Sequence, residues 1–290
     1  MKSRLNVLTV DVEDWYQTSD LNLPVGSWPK YEDRVESNTR KIMDILDEYD
    51  VKATFFVLGC VAQKFPRLVQ EIVKRGHEVG SHGGWHRMLH ELTDEEFLED
   101  VIFSKRILEE VAGRPVVYYR APSWSLSPSN YKALEVLESQ GFVCDSSLQP
   151  FQTPLSGIRG APQVPFHPVV GGRRLDIVEF PSTVARIGRQ TLPFSGGLYL
   201  RTLPLFFVKW ALHKVNHERE GMVYVHPWEL DPKQPRITKS PLVRFTHYYQ
   251  LRNTESKLRG LLQEFSFVPL GRVLEGEGFP DVVLDEQDLP

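Results

Sequence analysis

The segment "LNVLTVDV" (5–12) alternates apolar and polar positions and is rich in β-branched residues, whereas "NTRKIMDILDEYD" (38–50) carries Ile42, Ile45 and Leu46 at helical spacing. A strand followed by a helix is predicted, and the pair recurs along the chain. "KATFFVLG" (52–59) reads as a strand and "PRLVQEIVKRG" (66–76) as a helix, with Pro66 near its start and Gly76 just past its end. "HEVGSH" (77–82) is a short strand. In "TDEEFLEDVIFSKRILEEVAG" (93–113), Thr93 stands three residues before Glu96 as a capping box, and Gly113 closes the helix. "PVVYYRA" (115–121) is a strand, "SNYKALEVLESQG" (129–141) a helix, and "FVCDSS", "LDIVEFP" and "GMVYVHP" are further strands.

Strands alternating with helices imply βαβ units and an α/β fold with a parallel sheet of about seven strands. Polar residues collect at the predicted carboxyl ends of those strands: Asp11 to Asp14, His82, Arg120, Asp145 and His226. A closed or nearly closed barrel suits that distribution better than an open sheet, because loops at one end of a parallel barrel converge on one mouth. The Gly- and Pro-rich stretch around 149–202 reads as an insertion and the region around 240–290 as a helical extension, on a single domain spanning 1–290.

Composition narrows the function classes. The formal net charge of −4 offers no footprint for nucleic acid and no polybasic signal for an anionic membrane. Cys60 and Cys144 are too few and too distant for a disulfide framework and read as buried thiols. The apolar run at the amino terminus is broken by Asp11, Glu13 and Asp14, so it fails as a signal peptide, and "LPLFFVKWAL" (203–212) is too short to span a bilayer. A cytoplasmic protein without a membrane span is expected; the oligomeric state is not encoded in any pattern.

The candidate chemistry lies in "EVGSHGGWHRMLH" (78–90), where His82, His86 and His90 are spaced four apart. Two imidazoles at that spacing reach one ion from a helix or from a loop that turns back. The run "TVDVEDW" (9–15) adds three carboxylates that repel one another unless a cation or an arginine neutralises them. Strand alternation puts Asp11 and Glu13 on one face, with Asp14 just beyond.

Together, Asp11, "ATFFVLG" (53–59), "GHEVGSHGGWH" (76–86), "YYRAP" (118–122) and "YVHPWE" (224–229), in that order, resemble the NodB-type polysaccharide deacetylases of carbohydrate esterase family four. "DVEDWYQ", "RAPSWSLSP", "CDSSLQP", "EFPST", "SGGLYLR" and "HPWEL" look like the branch found with exosortase and exopolysaccharide gene clusters. The resemblance implies a distorted (β/α) barrel and a metal-dependent deacetylase acting on an N-acetylated saccharide. Asp11 would be the base that takes a proton from the attacking water, Arg120 the arginine that holds Asp11, and His226 the acid that protonates the departing amine. His82 and His86 would bind a divalent metal, with zinc the best match by ligand type.

Two departures stand out. Val12 follows Asp11 where the family has a second aspartate, leaving either Glu13 or Asp14 as the third ligand. Gly83 replaces a common hydroxyl residue. Trp85, Pro122, Trp228, Tyr199 and Arg201 are expected to contact the saccharide, and Glu179 could also line a sugar cleft. His77 reads as structural or partly buried and His90 lies across a loop from the histidine pair, while His167 and His247 have no acidic neighbour that would make them ligands and read as surface or substrate contacts. Two other functions compete: an allantoinase-like cyclic amide hydrolase and a non-catalytic saccharide-binding component of an export assembly.

Overall fold

A computed structural model describes residues 4–285 except 189 and 277. Seven parallel strands, β1 (Leu5–Val12), β2 (Thr54–Val57), β3 (Glu78–Ser81), β4 (Tyr118–Tyr119), β5 (Cys144–Asp145), β6 (Val178–Glu179) and β7 (Met222–Val225), lie in the spatial order β7-β1-β2-β3-β4-β5-β6. They curl into the distorted half-barrel of an α/β fold. β1 is central: Val7 to Val10 pair with Met222 to Val225 on one side, and Thr9 to Val12 with Thr54 to Val57 on the other. From Asn6 onward it is buried throughout, as a parallel strand covered on both faces must be.

Helices α1 (Val35–Glu48), α2 (Gly59–Lys64), α3 (Pro66–Lys74), α4 (Asp94–Ala112), α5 (Ala133–Ser139), α6 (Gly197–Thr202) and α7 (Leu205–Asn216) connect or flank the strands. The capping box forms as its residues predict: Thr93 Oγ1 accepts from Glu96 N and Glu96 Oε2 accepts from Thr93 N, and Gly113 ends α4 in the left-handed conformation. The helix expected over 129–141 begins at Ala133. Asn130 Oδ1 accepts from Ser127 N in a 3-10 turn that competes with the first helical turn. The short α2 was not anticipated.

The barrel is open between β6 and β7; β6 itself lies within the stretch around 149–202, and other parts of that stretch cover both edges. Phe166 exchanges two backbone hydrogen bonds with Glu179 on β6, and Tyr224 N on β7 donates to Ser195 O. Exposed strand edges would otherwise present unpaired backbone groups. The carboxyl-terminal region is only partly helical: α8 (Pro241–Tyr248) and α9 (Leu251–Leu262) are followed by β8 (Ser266–Val268), which pairs with Leu5–Val7, and residues 281–284 pair with 167–170 of the insertion. Residues 286–290 of the expected extension lie outside the described residues. No helix among the described residues is long and apolar enough to cross a membrane. Cys60 and Cys144 are buried free thiols.

The Thr93 hydroxyl satisfies an otherwise orphaned helix donor. Thr93→Ala should therefore destabilise the protein by about 1 kcal/mol in chemical denaturation, and an unchanged midpoint would mean that the cap contributes nothing.

Candidate active site

The strand ends converge on a cleft of about 410 Å³, which Asp11, Glu13, His82, His86, Tyr199, His226 and Trp228 help to line. Asp11, buried on β1, places Oδ1 2.6 Å from Arg120 Nη1. That guanidinium is fully buried, yet each nitrogen has a partner: Nε donates to Ser146 O, Nη1 also to Thr9 Oγ1, and Nη2 to Ser146 Oγ and Met222 Sδ. The rings of Phe56 and Trp124 lie 4.2 Å from the guanidinium carbon, a cation–π arrangement that offsets lost hydration. Gly80 is required beside it, since a Cβ there would lie 2.6 Å from the Phe56 ring.

Glu13, His82 and His86 form a buried cluster whose ligand atoms all lie within 4.8 Å of one another. Glu13 Oε2 is 2.5 Å from His86 Nε2 and 3.6 Å from His82 Nε2. His82 Nδ1 sits 2.8 Å from the Arg120 carbonyl, which can only accept. The ring proton therefore resides on Nδ1, leaving Nε2 free for a metal. The histidines are not stacked on a helix. His82 follows β3, and the chain turns back through Gly83 (φ +77) to His86 (φ +53). Gly84 N donates to Asp100 Oδ2, and a Cβ on Gly84 would lie 2.6 Å from Asp100 Oδ1. The two glycines thus allow the turn.

This donor set fits a divalent cation on its own chemistry. Two imidazoles and one carboxylate suit zinc or a similar ion. Apart from the two imidazole nitrogens, Glu13 Oε2 is buried without a hydrogen-bond partner, whereas Glu13 Oε1 accepts from Trp228 Nε1 at 2.9 Å. Burial alone would raise the Glu13 carboxyl, but His86, His82 and His226 override it and hold it well below its usual range.

Opposite the cluster, His226 Nε2 lies 3.8 Å from Asp11 Oδ2 and 4.0 Å from Glu13 Oε1. Its Nδ1 donates to Glu229 Oε2 at 2.8 Å, and Glu229 Oε1 accepts from Arg201 Nε. Burial opposes the charged imidazole, but Glu229 above all, then Glu13 and Asp11, raise its pKa to about 9.

Several residues singled out in the sequence lie elsewhere. Asp14 is outside the cluster: its Oδ2 accepts from Arg34 N and Val35 N and its Oδ1 from Trp15 N, so it anchors the entry to α1. Trp85 stacks on Phe103 and lines a neighbouring cavity with Trp28 and Tyr16. Pro122 is buried and does not appear among the lining side chains of the cleft. Arg201 reaches the cleft wall, but Glu229 and the carbonyls of Thr246, His247 and Tyr249 occupy its guanidinium. His247 is fully buried, pairs with Asp20 and Gln234 and stacks on Trp228. His77 is buried against Phe55, and burial lowers its pKa to about 4. His90 is exposed, and His167 is half-buried beside the Ile177 carbonyl.

Glu179 is also in the interior. Its Oε1 accepts from Ser147 N and Leu148 N, and it faces Asp145 in register on the adjacent strand. Asp145 Oδ2 and Glu179 Oε2 have no other partner. Burial, and for Glu179 the charge of Asp145, raise both carboxyls, so the pair retains a proton. The sequence places Asp145 at a strand end and offers Glu179 as a cleft residue but does not reveal that the two face each other; Glu229 and Asp20 carry no signal of their own.

Residues 27–143 match the polysaccharide deacetylase family model, and residues 146–275 match a domain of unknown function (DUF3473). His82, His86 and Arg120 fall within the first match and His226 within the second; Asp11 and Glu13 precede both. A peptidoglycan-N-acetylglucosamine deacetylase of Bacillus cereus is 39% identical over 84 residues, covering 29% of this chain and 30% of that protein. The chain spans less than half the length of the curated relatives it matches. A Mycobacterium smegmatis structure described as a candidate polysaccharide deacetylase superposes with a TM-score of 0.61 at 18% identity, covering 94% of this chain and 90% of that one. A Bacillus anthracis structure described as a pseudoenzyme of carbohydrate esterase family four has a TM-score of 0.50 at 15% identity, covering 97% and 68%. At these identities the structural likeness is one of fold.

The carboxyl pair predicts a pH dependence of stability. Between the ordinary glutamate range and the raised value of Glu179, the folded state binds more protons than the unfolded one, so stability falls as pH rises. Glu179→Gln, which keeps a donor towards Asp145, should lose that dependence. Thermal melts across pH 5–8 should increasingly favour the variant over the parent, whereas parallel curves would contradict the shared proton.

Proposed function

We propose that this chain, which belongs to the polysaccharide deacetylase family through residues 27–143, is a divalent-metal-dependent N-deacetylase. Its substrate in this reading is an N-acetylhexosamine unit of a bacterial exopolysaccharide or of its lipid-linked precursor. The observation that carries the reading is the convergence of Glu13, His82 and His86 beside the buried Asp11–Arg120 pair, with His226 facing both.

A divalent cation, zinc being the best match, would be held by Glu13, His82 and His86 and would polarise the acetamide carbonyl and the attacking water. Arg120 fixes Oδ1 of Asp11, which leaves Oδ2 directed at the cleft as the base. Once the water is deprotonated and the carbonyl attacked, the amide nitrogen needs a proton to leave. His226 Nε2 supplies it, and Glu229 keeps that imidazole charged through Nδ1. Arg201 orients Glu229 rather than touching the sugar. Trp228 fixes Glu13 through its indole nitrogen and, with Tyr199, supplies aromatic surface for the saccharide.

Metal analysis of purified protein, paired with acetate release from N-acetylglucosamine oligomers, tests the assignment. Asp11→Asn should keep the metal and lose turnover by about 10²-fold or more. Oligomer binding without acetate release by the metal-loaded parent would favour the saccharide-binding role instead. The Glu229–His226 contact makes a separate prediction. The acid works only when protonated, so activity falls as pH rises through its pKa. Glu229→Gln lowers that pKa and should move the alkaline limb of the kcat profile to lower pH; an unmoved limb would remove His226 from the acid role.

A further inference from the structure

Residues 232–252, "PKQPRITKSPLVRFTHYYQLR", contain five lysines and arginines and no carboxylate, in a chain whose formal net charge is −4. Lys233, Arg236, Lys239 and Arg244 are all exposed, and none forms an ion pair with the described residues. Arg236 lies over the Tyr248 ring at 5.5 Å. The carboxylates flanking the segment are already engaged, Asp231 by Arg34 and Asp20 by His247. A field of one sign is therefore left uncompensated on this part of the surface.

Large apolar side chains share that surface. Leu242 is 67% exposed, Phe245 47%, Tyr249 42% and Ile237 40%. Leu242, Phe245 and Tyr249 follow i, i+3, i+7 spacing along α8 and past its end, so they share one outward face. The Phe245 and Tyr249 rings are 4.8 Å apart. The opposite face is anchored by the buried His247 and Tyr248. Leu242, Val243 and Thr246 also line the cleft, so α8 forms part of its rim.

We propose that the 232–252 segment docks this protein on an anionic lipid bilayer, with the rim of the cleft against the membrane surface. An exposed apolar stripe with lysine and arginine beside it is the pattern of an interfacial helix, whose apolar side chains enter the headgroup boundary while cations meet anionic lipid. Arginine and aromatic side chains also suit a protein interface, but the uncompensated field of one sign beside the apolar stripe favours the anionic bilayer. The cations are local to one segment, which is why net charge alone gives no sign of the surface. A bilayer beneath this rim presents a lipid-borne substrate to the cleft. The inference goes beyond the deacetylase reading and does not depend on it, because docking requires no working catalytic centre.

Co-sedimentation of the full chain with vesicles tests the proposal, using phosphatidylglycerol–phosphatidylcholine mixtures against phosphatidylcholine alone. Binding is expected to the anionic vesicles, to weaken with added salt, and to fall about tenfold or more in Lys239→Glu/Arg244→Glu. Phe245→Ser should weaken binding independently, and Lys74→Glu, an exposed change elsewhere, should leave it intact. Circular dichroism and melting temperature verify that each variant folds, and the two patch variants test separate features of the surface. Absence of binding to anionic vesicles, equal binding to both lipid compositions, or equal binding by parent and both patch variants would overturn the proposal. So would light scattering that showed this patch buried in a homodimer dissociated by Phe245→Ser.

Discussion

Arg120 is the constraint on which the barrel's interior depends. Removing a guanidinium and a carboxylate from water costs several kcal/mol per ion, and the mutual attraction offsets it only if the remaining donors are satisfied. Here β1 supplies Asp11 and Thr9, Ser146 just past β5 supplies its carbonyl and hydroxyl, and β7 supplies the Met222 sulfur. Phe56 and Trp124 cover the guanidinium. The positions of several strand ends are thus set by one side chain. The same residue's carbonyl fixes the tautomer of His82, which couples the orientation of Asp11 to that of His82.

Much of this was legible because parallel strands buried on both faces leave apolar runs in the sequence, and the runs of β1, β3 and β7 end in polar residues that reach the mouth. Alternation also accounts for where the two candidate carboxylates of the first motif lie. Glu13 shares the face of Asp11, while Asp14, one residue further, turns to the backbone of Arg34 and Val35. Local pattern could not reveal partners distant in the chain. Arg201 has the chemistry of a sugar contact, but Glu229 and three carbonyls use its donors. His247 looked solitary because Asp20 lies 227 residues earlier. Trp85, adjacent to His86, faces a different cavity because the chain turns at His86 with positive φ.

The fold alone does not make a catalyst, and one similar structure is described as a pseudoenzyme. Function resides in the groups carried at the strand ends. In this chain the matched family segment provides the two histidines and Arg120, while His226, Glu229 and Arg201 come from the segment matching a domain of unknown function. His226 and the residues that support it thus lie in a different matched segment from His82 and His86. β8 and the insertion strands are stitched into the sheets around them, so the two segments build one cleft.

X-ray absorption spectroscopy of the zinc-loaded protein tests the central claim most directly, with Glu13→Ala and Asp14→Asn measured beside the parent. The account predicts two imidazole nitrogens and carboxylate oxygen around the ion, a coordination shell unchanged in Asp14→Asn and depleted in Glu13→Ala. Zinc bound without histidine ligation, or a shell that depends on Asp14 and ignores Glu13, would contradict it.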